Sequence, residues 1–124
     1  MFQSSPILRQ FPDCSNQAAC HGFLHEFEKL LLGTYRPQIV FDMSQVSQMN
    51  AMGIDLMLRC ISKIANHDGD LRLAGPSPET ALVLELAQIS NVVEVFNTLQ
   101  EAMESFDGHL FGDTSRRDAR TVAS

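Results

Sequence analysis

The run Ile39-Val40-Phe41 leads through a polar segment into the helix pattern with the clearest apolar period in the chain. The stretch from Gln38 to Asn66 therefore limits what the chain can fold into. Ile39, Phe41 and Met43 alternate with Gln38, Val40 and Asp42, as in a strand with two distinct faces. From about Ala51 to Asn66, the residues Ile54, Met57, Leu58, Ile61, Ile64 and Ala65 recur on one side of a helical wheel, which predicts a helix with that stripe in the core. The start of such a helix leaves backbone N–H groups and a partial positive charge facing the preceding loop. Met49 to Gly53 is thus the best place in the chain to hold an anion or present a regulatory surface.

The strand-helix layout recurs on both sides of this unit. Pro6 to Phe11 reads as a strand, followed by a helix capped by Asp13 or Ser15 and running to Leu32, with Gly33 closing it. Phe23, Leu24, Phe27, Leu30 and Leu31 share its core side, and His21, His25 and Glu28 its outer side. After a turn at residues 67–70, Leu71 to Ala74 is a third strand. Ser77 and Pro78 then start a third helix that is expected to bury Leu82, Leu86 and Ile89. Val92 to Phe96 is the fourth strand, and Thr98 with Glu101 forms a capping box before a helix that packs Ala102, Met103 and Phe106. Four consecutive strand-helix units predict an α/β fold with a mainly parallel or mixed sheet and helices mostly on one face. The other face, carrying Asp42, Arg72 and Glu94, is expected to be partly wet. Residues 1–107 are expected to form one domain, and the Gly, Asp, Thr, Ser and Arg-rich residues 108–124 a disordered C-terminal tail.

An apolar strand ending Asp42-Met43-Ser44, then Val46, then a four-residue segment ending in Gly53 before an amphipathic helix, resembles the STAS domain. That family is named for sulfate transporters and anti-sigma-factor antagonists, and the likeness extends from about Ile7 to Phe106. In the family's switchable antagonists the four-residue segment is Asp-Ser-Ser/Thr-Gly, and a partner kinase phosphorylates its first Ser. Here the segment is Asn50-Ala51-Met52-Gly53, so Ala51 stands at the Ser position and no phosphorylation is expected there. Ser47 lies nearby but out of register with the motif. Asp13 matches an Asp that the family places between its first strand and first helix, where it either supports the neighbouring loop or caps the helix. Family members carry one more strand before the first, for which this sequence lacks room. That leaves an exposed edge or face, for which a homodimer is one remedy.

Composition narrows the function classes. A formal net charge of −6 repels a phosphate backbone and argues against nucleic acid as a partner. No apolar run approaches the roughly 18 residues needed to span a bilayer, and Met1 to Gln10 lacks the pattern of a signal peptide, so the expected location is the cytoplasm, without membrane insertion. Cys14, Cys20 and Cys60 form neither a CxxC pair nor an even framework, and are expected to be reduced thiols. His21, His25 and Glu28 share a helical face, but no fourth ligand is placed beside them and no metal is expected. Cys60 has no basic partner in sequence and Asp42 no converging carboxylate or Ser-His pair. No glycine-rich phosphate loop is present, and neither a catalytic residue nor a cofactor is assigned.

Protein recognition fits better. Met52, Leu56, Arg59 and Lys63 fall on the side of the second helix away from its predicted stripe, with Met49 in the loop before them. An adaptable apolar surface flanked by cations suits a protein partner. The resulting expectation is a non-enzymatic, STAS-like regulatory domain without the usual serine switch. Its partner surface would comprise Asp13, Met49, Asn50, Ala51, Met52, Gly53, Leu56, Arg59 and Lys63. The resemblance implies a partner such as an anti-sigma kinase or another signalling protein in bacterial transcription control. The alternatives are an accessory subunit of a membrane transport ATPase for lipids or anions, and a small-ligand or nucleotide sensor. On this reading Leu56→Glu weakens partner binding and spares the fold.

Overall fold

The computed structural model describes residues 6–107. In chain order these form β1 (Ile7–Gln10), α1 (Gln17–Leu32), β2 (Gln38–Asp42), α2 (Ala51–Asn66), β3 (Asp70–Ala74), α3 (Pro78–Leu86), a 3-10 turn (Ile89–Asn91), β4 (Glu94–Phe96) and α4 (Leu99–Asp107). The sheet runs β1-β2-β3-β4, and every neighbouring pair is parallel. Ile39 sits between Ile7 and Leu71, and Phe41 between Arg9 and Leu73. The expected tail at residues 108–124 lies outside the described residues.

Strands joined in sequence order by crossovers of one hand must carry their connecting helices on one face. One core cluster accordingly holds Phe27 and Leu31 of α1, Met57 and Ile64 of α2 and Leu84 of α3 against Ile39, Phe41 and Leu73 of the sheet. Phe41 is fully buried among Phe11, Phe23 and Phe27, with ring centroids 5.3 to 5.6 Å away.

α4 follows the last strand and is bound by no crossover. It covers the opposite face, packing Ala102 and Phe106 on Val40, Ala74 and Phe96. Val40 is therefore buried instead of wet, and this face is closed where α4 crosses it. Arg72 fastens the helix there: its Nε lies 3.0 Å from Ser105 Oγ and 3.3 Å from Glu94 Oε1, and its guanidinium lies 4.1 Å from the Phe106 ring centroid.

Two helices are rotated from the expected orientation. α2 buries Gly53, Leu56, Met57, Cys60 and Ile64, whereas Leu58 is 49% exposed and Ala65 is also exposed. Leu56, Met57 and Leu58 are consecutive, so hydrophobicity alone leaves the rotation open; packing against α1 decides it. Leu56, expected on the outer surface, is only 3% exposed. A Glu there would carry a charge into the core, so the expectation that Leu56→Glu spares the fold is overturned.

In α3, Leu82 and Leu86 are 54% and 73% exposed, and Thr80 and Leu84 are buried. That helix is apolar on nearly every side, and its N-terminal bonds set its rotation. Ser77 Oγ accepts from Thr80 N at 3.1 Å and donates to Thr80 Oγ1, also at 3.1 Å. This turns Thr80 inward, and Leu84 follows one turn later.

Phe41→Ala is expected to lower unfolding free energy by about 3–5 kcal/mol through lost burial and the cavity left among the three rings. Urea unfolding of both proteins measures the difference.

Candidate functional site

The C-terminal ends of parallel strands all open toward one edge of the sheet, and the loops that follow them meet there. The β2–α2 loop is held from both sides. On the β1–α1 side, Asp13 accepts from Ser47 N at 3.3 Å and from Ser47 Oγ at 2.8 Å. On the β3–α3 side, the buried Thr80 Oγ1 lies 3.5 Å from Val46 O. Asp42 steadies the loop entry by accepting from Ser44 N at 3.0 Å.

Asn50 closes the arrangement with both ends of its side-chain amide. Oδ1 accepts from Gly53 N at 2.8 Å, capping α2, while Nδ2 donates to Cys14 O at 2.9 Å. The start of α2 is thus tied to the β1–α1 loop through one side chain. Gly53 fits because a Cβ there would lie 3.1 Å from Met49 Sδ and 3.5 Å from Asn50 Oδ1. A Cβ there would crowd the Met49 thioether while only touching the cap.

Of the two roles open to Asp13, the structure shows loop support. Neither Asp13 nor Ser15 caps α1; Asn16 does, with Oδ1 accepting from Ala19 N at 2.8 Å. Asn16 stands three residues before Ala19, the usual reach of such a cap.

The residues expected to form a contact surface fall into two layers. Asp13, Asn50, Ala51, Met52 and Arg59 are exposed, with Met52 at the lower limit at 36%. Met49, Gly53 and Leu56 are buried and support that surface from below. Met52, Leu56 and Arg59 line a groove of about 240 Å³ together with Cys20 and Leu24 of α1. The sequence pattern placed Leu56 outside and gave no α1 wall to this groove, because the pairing of two helices is not encoded in the period of either.

The charges near the groove are already engaged. Arg59 Nε lies 2.8 Å from Asp55 Oδ2, and this partner raises its already high pKa further. Lys63 Nζ meets Glu28 Oε2 at 2.6 Å and, by bonding it, holds that carboxyl below its ordinary range. Lys63 is half-buried in this pair and stands beside a different groove, with Leu31 and Leu32. Glu28 is therefore committed to an ammonium rather than grouped with His21 and His25. Cys60 is buried, which pushes its thiol up to about 12 and keeps it protonated at neutral pH. Among the described residues, no group of three or more His, Cys, Asp or Glu side chains is arranged to hold a metal ion.

The STAS domain family model matches residues 15–102. No curated protein matches the sequence. Among solved structures, the chain is similar to a STAS domain of a SulP transporter from Vibrio cholerae, at 14% identity and TM-score 0.72, covering 89% of this chain and 87% of that one. It is also similar to an anti-sigma-factor antagonist (STAS) domain protein from Planctomyces limnophilus, at 22% identity and TM-score 0.64, covering 76% and 84%. A candidate anti-sigma factor antagonist from Thermotoga maritima gives 21% identity and TM-score 0.64 over 82% and 81%. At these identities each likeness is one of fold.

Asn50→Ala removes both the cap and the bond to Cys14, and is expected to cost about 1–2 kcal/mol in urea unfolding. Asn50→Asp retains an oxygen for Gly53 N but cannot donate to Cys14 O, so an intermediate loss is expected.

Proposed function

Because the chain belongs to the STAS domain family, we propose that it is a non-enzymatic regulatory domain that binds another protein through the exposed start of α2. The observation carrying this reading is the arrangement at Asn50-Ala51-Met52. These side chains are exposed at the helix start, while Asn50 and the Asp13–Ser47 bonds fix the backbone beneath them. A surface held in shape before contact loses less freedom on binding. The proposed contact residues are Asp13, Asn50, Ala51, Met52 and Arg59, with Met49, Gly53 and Leu56 supporting them and Lys63 at the margin.

The proposal includes the absence of the family's serine switch. Ala51 is the first residue of α2 and its methyl group cannot accept phosphate. Ser47 is a poor substitute, since its hydroxyl donates to the Asp13 carboxylate at 2.8 Å. A phosphate on it would place nearly two further negative charges beside Asp13. The partner surface is therefore read as constitutively available to a signalling protein such as an anti-sigma kinase. The proposed location is the cytoplasm; no described helix is long and apolar enough to cross a membrane.

One observation favours a second reading. The likeness to the SulP transporter STAS domain reaches TM-score 0.72, against 0.64 for the antagonist domain protein. In that reading the chain is an accessory partner of a membrane transporter, and the same surface faces a different protein.

Affinity capture with the tagged full chain, followed by mass spectrometry, is expected to recover a signalling protein. Recovery of a membrane transporter instead supports the second reading. Met52→Glu is expected to weaken the captured interaction about tenfold or more while changing unfolding free energy by less than about 0.5 kcal/mol. Unchanged affinity removes the α2 start from the contact. Incubation with ATP and host extract is expected to leave the intact mass unchanged, and a phosphate mapped to Ser47 would reinstate a switch.

A further inference from the structure

The β1–α1 loop and the first turn of α1 each contribute a cysteine that the partner surface does not itself require. Cys14 and Cys20 are joined by a disulfide, with Cα atoms 5.7 Å apart and a sequence separation of six. This departs from the expectation of three reduced thiols: the turn into α1 returns the chain so that the first cysteine meets the second on the opening turn of the helix. Cys60 is the free cysteine among the described residues.

The position of the pair is specific. The Asp13–Cys14 dipeptide receives three hydrogen bonds from the β2–α2 loop: Ser47 N and Oγ donate to Asp13, and Asn50 Nδ2 to the Cys14 carbonyl. Asn50 also caps α2 through its other amide atom. Displacement of Cys14 therefore reaches the first turn of α2 through a single side chain. Cys20 meanwhile lines the groove shared with Leu24, Met52, Leu56 and Arg59. The disulfide thus connects the backbone that orients the α2 cap to a wall of the groove beside it.

We propose that Cys14 and Cys20 form a thiol–disulfide modification site that regulates the partner surface. Oxidation fixes the Asp13–Cys14 segment and the α2 cap; reduction releases them. The co-reactant is a small-molecule disulfide of the glutathione class. The Cys20 thiolate attacks one sulfur of that disulfide, breaking its S–S bond and releasing one thiolate. The Cys14 thiolate then attacks the Cys20 sulfur of the mixed disulfide and releases the second. The pair loses two electrons and two protons, while the small disulfide gains both and leaves as two thiols. A dithiol reverses the sequence. Both cysteines are buried, Cys14 more completely, and Cys20 is assigned the first attack because it is the one of the two that lines the groove. A ring this short constrains the unfolded chain less than a long one, so the main effect is local order at the loop.

The consequence for binding rests on the partner surface proposed above, but the change in the loop does not, and it is measured without a partner. Residue-resolved amide hydrogen exchange is followed on the full chain in dithiothreitol and in oxidised glutathione, with intact mass recorded for each sample. On oxidation the mass is expected to fall by two hydrogens, and the Ser47 and Gly53 amides to exchange about fivefold more slowly or better. Cys20→Ser is expected to match reduced wild type in both conditions; should that variant not fold, wild type in its two states decides the question. Equal exchange in the two states, an unchanged mass or a persistent glutathione adduct overturns the proposal. A failed partner capture leaves this result intact, so the two readings fail separately.

Discussion

Parallel pairing of neighbouring strands is the constraint on which the rest of the structure depends. Each connection must return the chain to the same end of the sheet, and the preferred hand of such crossovers directs its helix to one side. α1, α2 and α3 consequently share one core cluster with the sheet. α4, which closes no crossover, is free to seal the other face through Phe106 and the Arg72 contacts. The same rule gathers the loops leaving β1, β2 and β3 at one edge. Neighbouring loops can then bond side chain to backbone across more than 30 residues of sequence, as Ser47 does to Asp13 and Asn50 to Cys14.

Those bonds explain how a short loop is held in one shape, as the proposed recognition surface requires. A hydrogen bond at a wetted surface site contributes modestly, on the order of 1 kcal/mol, so no single one dominates. Their value lies in geometry. Asp13 and Cys14 hold the β2–α2 loop from one side and Thr80 from the other, Asn50 caps α2 from within it, and Met49, Gly53 and Leu56 fill the space beneath. Ala51 and Met52 are left outward on a fixed base.

The sequence made the element order legible because its strands alternate cleanly and its helix starts carry recognisable caps. Ser77 caps α3, and Thr98 Oγ1 accepts from Glu101 N at 3.1 Å at the start of α4, as expected from one half of the capping box. The motif around Asn50 also pointed to the correct family. Helix rotation was not legible where apolar residues run together: Leu56-Met57-Leu58 in α2 and Leu82-Val83-Leu84 in α3 satisfy several orientations, and only tertiary neighbours choose among them. Nor did periodicity reveal the side taken by α4, the α1 wall of the groove or the meeting of Cys14 with Cys20, which depend on contacts between separate elements.

The start of α2 is the proposed contact surface for a protein partner. The most direct test is a hydrogen-exchange footprint of the full chain, free and in complex with the partner it captures. Protection concentrated at residues 47–55, with the exposed Leu82 and Leu86 side of α3 unchanged, is the predicted result. Protection on α3 with none at residues 47–55 would contradict it.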